Sequence, residues 1–387
     1  MSGLALLQWQ VFQCGMRIDF SKSATKARRF FDDSRIDIHS AIRRIFYAEQ
    51  AFTCRLAGAP EIKRRLMPRI LLVKTSSLGD VVHNLPVVCD VAAAISGATI
   101  DWVVEESFAA IPQLHSGVAR VLPVAVRRWR RTLWRPETWR EIRGFIRQLR
   151  EYQYDAVIDT QGLLKSAWIA RAARGSRHGL DWDSAREPLG FFYDHSHRVA
   201  WGQHAVERNR SLAAQALGYQ VLAPAQYGIA AADQLFDWLE GGRPHAVLLH
   251  ATSAERKLWP EAHWIELGCT FAAQGMSSVL PWGSASERER SVRLAQQIPQ
   301  SVVPERMDLR SLAALLAQAR VVVGADTGLT HLAGALGVPV VGVYVATDPA
   351  ATGLHGCTRG VNLGGIGMPP AVAEVVAAMG KLVNGDW

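Results

Sequence analysis

The chain has 387 residues, enough for two α/β domains with separate cores, and its 49% hydrophobic and 20% charged residues are those of a globular protein. No apolar run reaches the roughly 18 residues of a membrane span, and the five cysteines (Cys14, Cys54, Cys89, Cys269, Cys357) lack the CxxC spacing of a zinc site or a disulfide framework. The net charge of +8 is unevenly placed: residues 1–66 hold 12 Lys and Arg against 6 Asp and Glu, while the other 321 hold 31 against 29, a balance that argues against a nucleic-acid binder.

Residues 1–66 show no sustained periodicity, and the apolar stretch 4–12 is too short and too interrupted for a signal-peptide core. They are expected to form an extension outside the native fold, with Met67 as the natural start, because Met67-Pro68 leads directly into a buried strand. From there strands and helices alternate, the pattern of a parallel α/β protein. Strands are expected over 70–73, 100–104, 121–126 and 156–158, and helices over 86–94, 137–151, 163–173 and 205–217. The pattern loosens after residue 222, and Gly241-Gly242-Arg243-Pro244 marks a linker. A second block follows: strands over 246–249, 278–280, 321–323 and 338–345, with helices over 259–271, 286–297, 309–317 and 330–336, and a closing helix over 369–383. The expected domains are 67–225, a linker 226–244, a second domain 245–368 and a C-terminal helix 369–387. Two Rossmann-like halves place ligands beyond the carboxyl ends of their strands.

Three strand ends carry the chemistry. After the first strand comes Lys74-Thr75-Ser76-Ser77-Leu78-Gly79-Asp80, a turn of small and polar residues with Asp80 either facing the ligand or capping the next helix. No GxGxxG occurs there, so a dinucleotide site finds no support. After 246–249 come Thr252, Ser253 and Lys257, hydroxyls and a compact positive charge that suit a diphosphate. After 321–323 come Asp326-Thr327-Gly328, where backbone N–H groups at a helix start can hold a phosphate and Asp326 can accept from sugar hydroxyls. Arg127-Arg128-Trp129-Arg130-Arg131 offers a local site for an anionic ligand. Asp194, His195, His197 and His204 lack ordered ligand spacing, so no metal is expected.

Read together, KTSSLGDVVHNLP (74–86), DWVVEE (101–106), RRWRR (127–131), DAVIDTQGLLKSA (155–167), HGLDWDSAREPL (178–189), HAVER (204–208), LHATSAERKLWPEAHW (249–264) and GADTGLTHLAGALGVPVVGVY (324–344) resemble the ADP-heptose:lipopolysaccharide heptosyltransferase family. The resemblance runs in order from Met67 to near the C-terminus, and the first 66 residues have no counterpart in it. It implies the GT-B glycosyltransferase fold, two Rossmann-like domains facing across a cleft, with the acceptor on the first and the nucleotide sugar on the second. It implies Asp80 as general base. Thr252, Ser253, Lys257, Glu287, Asp326, Thr327, Gly328 and His331 would contact the donor, with Glu287 on the adenosine ribose. Ser76, Ser77, Gly79, Arg127, Arg128, Arg130 and Arg186 would face the acceptor. Glu255-Arg256 before Lys257 departs from relatives that carry acidic residues there.

The implied reaction is inverting transfer of L-glycero-D-manno-heptose from ADP-heptose to Kdo of Kdo2-lipid A, the first heptose of the lipopolysaccharide inner core. It needs no cofactor and no metal, and no nucleic-acid partner is expected. The enzyme would lie in the cytoplasm, peripheral on the cytoplasmic face of the inner membrane. A sibling transferase acting on a later core sugar is the nearest alternative. A non-catalytic nucleotide-sugar binder and a nucleotide-sugar epimerase are the others, the last requiring additional acid/base carboxylates that the sequence does not offer.

Overall fold

The computed structural model describes residues 67–239, 244–252 and 254–384. The expected extension 1–66, the linker residues Gly241-Gly242-Arg243 and the candidate Ser253 lie outside them.

Short runs of apolar and β-branched residues make two six-stranded sheets. The first has the order β3-β2-β1-β4-β5-β6 and the second β12-β11-β10-β7-β8-β9, all neighbours parallel. Numbered within its own half, each sheet reads 3-2-1-4-5-6, the doubly wound order. The N-terminal half contains β1 (Arg69–Val73), β2 (Thr99–Glu105), β3 (Val118–Val124), β4 (Tyr154–Asp159), β5 (Gly175–Leu180) and β6 (His195–His197). Its helices are α1 (Leu78–Val82), α2 (Leu85–Ala94), α3 (Ala110–Gln113), α4 (Val126–Trp129), α5 (Pro136–Leu149), α6 (Leu164–Ala172) and α7 (Ala205–Leu217). The C-terminal half contains β7 (His245–Leu249), β8 (Ser277–Val279), β9 (Ser301–Val302), β10 (Val321–Ala325), β11 (Val340–Tyr344) and β12 (Gly360–Gly364). Its helices are α8 (Glu261–Ala273), α9 (Ala285–Ala295), α10 (Leu309–Ala317), α11 (Gly328–Ala335), α12 (Pro349–Thr352) and α13 (Val372–Asn384).

The central strands β1, β7, β10 and β11 are covered on both faces, which is why they are nearly unbroken runs of Val, Leu and Ile. Two departures from the sequence expectation have local causes. The third strand ends at Val124, and Val126 opens α4 instead of extending the strand. The helix expected from Trp259 begins at Glu261, because a residue before proline is pushed out of helical geometry and Pro260 serves as the N-cap. Trp259 is wholly buried and its indole N–H donates to the Pro370 carbonyl at 3.1 Å, which ties the lead-in to α8 to the lead-in to α13.

One apolar core runs through both halves, joining Ile70, Val81 and Val88 to Val247, Leu315 and Leu332. A second fills the other face of the C-terminal sheet around Trp264 and Phe271, and a third that of the N-terminal sheet around Phe145 and Leu149. Within the shared core α1, which follows β1, packs on α11, which follows β10.

Candidate active site

At the end of β1, the Gln161 side chain beyond β4 spans the switch point of the first sheet. Its Oε1 accepts the N–H groups of Thr75 and Ser76 at 3.0 and 2.9 Å, which fixes the turn from the neighbouring strand. Ser77 then caps α1, and Asp80 at the third helical position reaches back. Its Oδ2 accepts the Ser77 N–H at 2.7 Å and the Ser77 hydroxyl at 2.9 Å. This is a capping box with aspartate in the acidic position. Oδ1 takes no hydrogen bond among the described residues, so capping orients the carboxylate and leaves one oxygen available for a proton. Lys165 on α6 donates to Ser76 Oγ at 2.6 Å. Burial lowers the Lys165 pKa, Arg127 adds to the effect, and Glu105 and Asp80 oppose it. Gln161 and Lys165 were not among the candidates. The signal for both was their position just past a strand beside β1.

At the second sheet's switch point the turns after β7 and β10 are cross-linked. Thr252 Oγ donates to the Asp326 carbonyl at 3.0 Å, and Lys257 Nζ meets Asp326 Oδ2 at 2.7 Å. Thr347, beyond β11, donates to the same oxygen at 2.6 Å, and His331 Nε2 lies 3.7 Å from Oδ1. Burial alone would raise the Asp326 pKa, but His331, Lys257 and Thr347 outweigh it and hold the carboxylate well below its usual range. Asp326 is therefore a fixed anion rather than a helix cap. Thr327 occupies the N-cap of α11 and makes no side-chain capping bond there. Thr347 is a third residue that sequence reasoning did not select.

Glu287 sits past β8 in a second capping box. Its Oε2 accepts the Gly283 and Ser284 N–H groups at 2.7 and 3.1 Å, while Ser284 Oγ accepts the Glu287 N–H at 3.3 Å. Like Asp80, it uses one carboxylate oxygen for its own helix.

The two halves meet where α1 faces α11. A Cβ on Gly328 would fall 2.6 Å from Leu78 Cβ and 2.8 Å from the Gly79 nitrogen, so only glycine fits. A Cβ on Gly79 would lie 3.2 Å from the His331 ring. Four imidazoles line this seam. His83 meets His331 and His204 edge-on at centroid distances of 4.5 and 5.4 Å, and His204 stacks on His355 at 4.3 Å. Burial first, then the neighbouring imidazoles, pushes His83 well below its ordinary pKa. His204 is pushed to about 4 by burial and His355. His204 Nε2 donates to the Gly353 carbonyl at 3.1 Å and Nδ1 accepts the Val206 N–H at 3.1 Å, a pattern that requires the neutral ring.

The candidate arginines separate into two kinds. Arg128 is held by Glu106 at 3.1 Å and Glu141 at 2.8 Å, which keep it charged and already matched. Arg127 lies over the Phe108 ring, and Arg130 and the exposed Arg186 have no ion-pair partner among the described residues. Asp194 pairs with Arg177, and no cluster of three or more His, Cys, Asp or Glu arranged to hold a metal occurs among the described residues.

The family model for glycosyltransferase family 9 (heptosyltransferase) matches residues 142–372. Lipopolysaccharide heptosyltransferase 1 of Pseudomonas aeruginosa is 52% identical over 299 residues, 76% of this chain and 83% of its own length. The chain belongs to glycosyltransferase family 9. Among solved structures, the E. coli heptosyltransferase WaaC with ADP matches with a TM-score of 0.75 and 41% identity, covering 81% of this chain and 99% of that one. WaaC with ADP-2-deoxy-2-fluoro heptose gives 0.70 and 41%, over 82% and 100%. The family 9 chain thus has the GT-B glycosyltransferase fold, and Asp80, Asp326, Lys257 and Glu287 all lie at carboxyl ends of its strands, where such a fold binds ligands.

Proposed function

We propose that the chain catalyses inverting transfer of L-glycero-D-manno-heptose from ADP-heptose to a Kdo hydroxyl of Kdo2-lipid A, in synthesis of the lipopolysaccharide inner core. The names of its relatives, and the ADP and fluoro-heptose ligands of WaaC, support this donor and this step. The observation that carries the mechanism is the half-used Asp80 carboxylate, set by its capping box opposite the start of α11.

In this reading the N-terminal half, 67–225, binds the acceptor and the C-terminal half, 245–368, binds the nucleotide sugar. Asp80 Oδ1 takes the proton of the acceptor hydroxyl as that oxygen bonds to the anomeric carbon. The bond from that carbon to the diphosphate breaks on the opposite face, and ADP leaves with the electron pair. Lys257, Thr252, Ser253 and the N–H groups at Thr327-Gly328 receive the diphosphate charge, with Asp326 and His331 beside the sugar and Glu287 on the ribose. Ser76, Ser77, Gly79, Arg127, Arg130 and Arg186 hold the acidic acceptor, and Arg128 frames them. Lys165 joins this set through Ser76. Because the acceptor is lipid-anchored, the enzyme works as a peripheral protein on the cytoplasmic face of the inner membrane. No helix among the described residues is long and apolar enough to cross a membrane.

Mass spectrometry of the product from ADP-heptose and Kdo2-lipid A tests this. A mass gain of one heptose with release of ADP is expected. Transfer only to an acceptor that already carries heptose would assign the chain to the later step.

A further inference from the structure

The body of the protein is nearly neutral, yet one segment is not. Residues 126–151 hold nine Arg and three Glu, a net of +6, whereas residues 67–387 as a whole hold 31 basic against 29 acidic residues. Everything in the body outside this segment is therefore net negative. All three glutamates are committed: Glu137 to Arg140 at 2.8 Å, Glu141 to Arg128 at 2.8 Å and Glu151 to Arg120 at 2.5 Å. Arg130, Arg131, Arg135, Arg143 and Arg147 are exposed and have no ion-pair partner among the described residues. The acids thus serve the framework and leave the outer arginines uncompensated.

Apolar side chains stand among these charges. Leu133, Trp134 and Trp139 are 42%, 75% and 43% exposed, and the Trp139 indole N–H donates to the Leu133 carbonyl at 2.8 Å, which joins loop and helix into one surface. On α5 the sequence explains the arrangement. Thr138, Phe145 and Leu149 turn inward, while Trp139, Arg143, Arg147 and Arg150 recur at spacings of four, four and three along another stripe. An open groove of about 550 Å³ is lined by Arg143, Ile146, Arg147, Arg150, Glu151 and Arg174, with Glu151 already paired to Arg120.

We propose that this face, the 130–135 loop with the outer stripe of α5, docks the enzyme on a bilayer rich in anionic phospholipid. Tryptophan favours the headgroup boundary, where its ring is apolar and its N–H is polar. Arginine stems lie along the apolar surface while their guanidiniums reach phosphates, and the groove between Arg143, Arg147 and Arg174 suits a phosphate headgroup. A nucleic-acid strand would use arginine and aromatic groups as well, but it is a long polyanion that must pass the net-negative remainder of the body. A bilayer touches one face only. This assignment rests on the transferase reading in one respect: the patch begins at Arg130, next to Arg127 and the proposed acceptor side, so docking here delivers a membrane-embedded acceptor to the Asp80 turn.

The test uses the full chain without substrates. Sedimentation is measured with vesicles of phosphatidylcholine alone and of phosphatidylcholine mixed with phosphatidylglycerol, and transfer is measured separately to a deacylated, water-soluble acceptor. Strong preference for the anionic vesicles is expected. The triple variant Arg135→Gln, Arg143→Gln, Arg147→Gln should lose roughly a hundredfold in partitioning, from about a fivefold contribution per basic residue. It should keep its melting temperature and its rate on the soluble acceptor. Trp134→Ala should weaken binding at high salt, where the charges are screened. Equal binding to neutral and anionic vesicles, undiminished binding of the triple variant, or binding of single-stranded RNA but not vesicles would each overturn the proposal. Vesicle binding by a protein inactive on the soluble acceptor would instead count against the transferase reading and leave the docking surface standing.

Discussion

Lys257 and Asp326 hold each other at 2.7 Å across the turns that follow β7 and β10. The pair is mostly buried, with Thr347 and Thr252 adding hydrogen bonds to the same residue. Removing the cation therefore does two things. Lys257→Ala should raise the ADP Kd by roughly 10- to 100-fold, the usual worth of charge-assisted hydrogen bonds. It should also cost about 2 kcal/mol of stability, less than for a wholly buried pair because Lys257 retains some solvent contact. Calorimetric titration with ADP and a denaturant curve measure both. Unchanged ADP affinity would confine Lys257 to the structural tie.

Asp80→Asn separates capping from catalysis. Asparagine can still accept the Ser77 N–H, so the turn and the melting temperature should hold. Single-turnover transfer at saturating donor and acceptor should slow by about 10²- to 10⁴-fold, while donor affinity stays within a few-fold. A near-normal rate would remove Asp80 from the base role.

Arg130 and Arg128 should behave differently although they lie two residues apart. Arg130→Ala should raise the acceptor KM roughly tenfold or more with Tm and ADP affinity unchanged, since no internal partner is lost. Arg128→Ala breaks two half-exposed ion pairs, leaving Glu141 with the Trp129 indole N–H and Glu106 without its cation, so Tm should fall slightly. Equal KM effects without a change in Tm would erase the distinction.

The histidine seam predicts a stability loss in mild acid. His204 is neutral in the fold, with a pKa near 4 against about 6.5 when unfolded. Between those values the unfolded chain binds more protons, so stability is complete above about pH 6.5 and falls as pH drops toward 4. Protonating Nδ1 also removes the acceptor of the Val206 N–H. His204→Asn keeps a capping side chain and removes the titration, so Tm measured from pH 7 to 5 should decline less steeply than in the parent. Parallel declines would place the acid sensitivity elsewhere.

Much of the architecture was legible because the buried strands are apolar runs bounded by turns, as in β1, β7 and β11. The strands Gly175–Leu180 and His195–His197 escaped notice because they are rich in glycine and polar residues and form the outer end of the sheet, where pairing is set by neighbours rather than by composition. The candidate site was read from the sequence as three strand ends, and the structure places Asp80, Lys257 and Asp326 just beyond them. What could not be read is partnership. Whether Arg128 is free or matched, whether Asp80 caps its helix, and that Gln161 and Lys165 join the Ser76 turn all depend on contacts between residues 13 to 89 positions apart, or on the orientation of a single carboxylate.

Gly328 touches Leu78 and the Gly79 backbone with no room for a methyl group. If Asp80 is the base and the turn at Thr327-Gly328 holds the diphosphate, as proposed, the spacing between them is set by the Gly328 backbone against Leu78 and the Gly79 nitrogen. A spacer of that kind has no adjustable length. Side chains around the pocket can be exchanged to admit a different sugar or a different acceptor, but the reach between the two reacting partners stays constant unless an entire half shifts. New specificities on this scaffold must then arise around a fixed gauge, and the glycine that keeps it should be the last residue to vary.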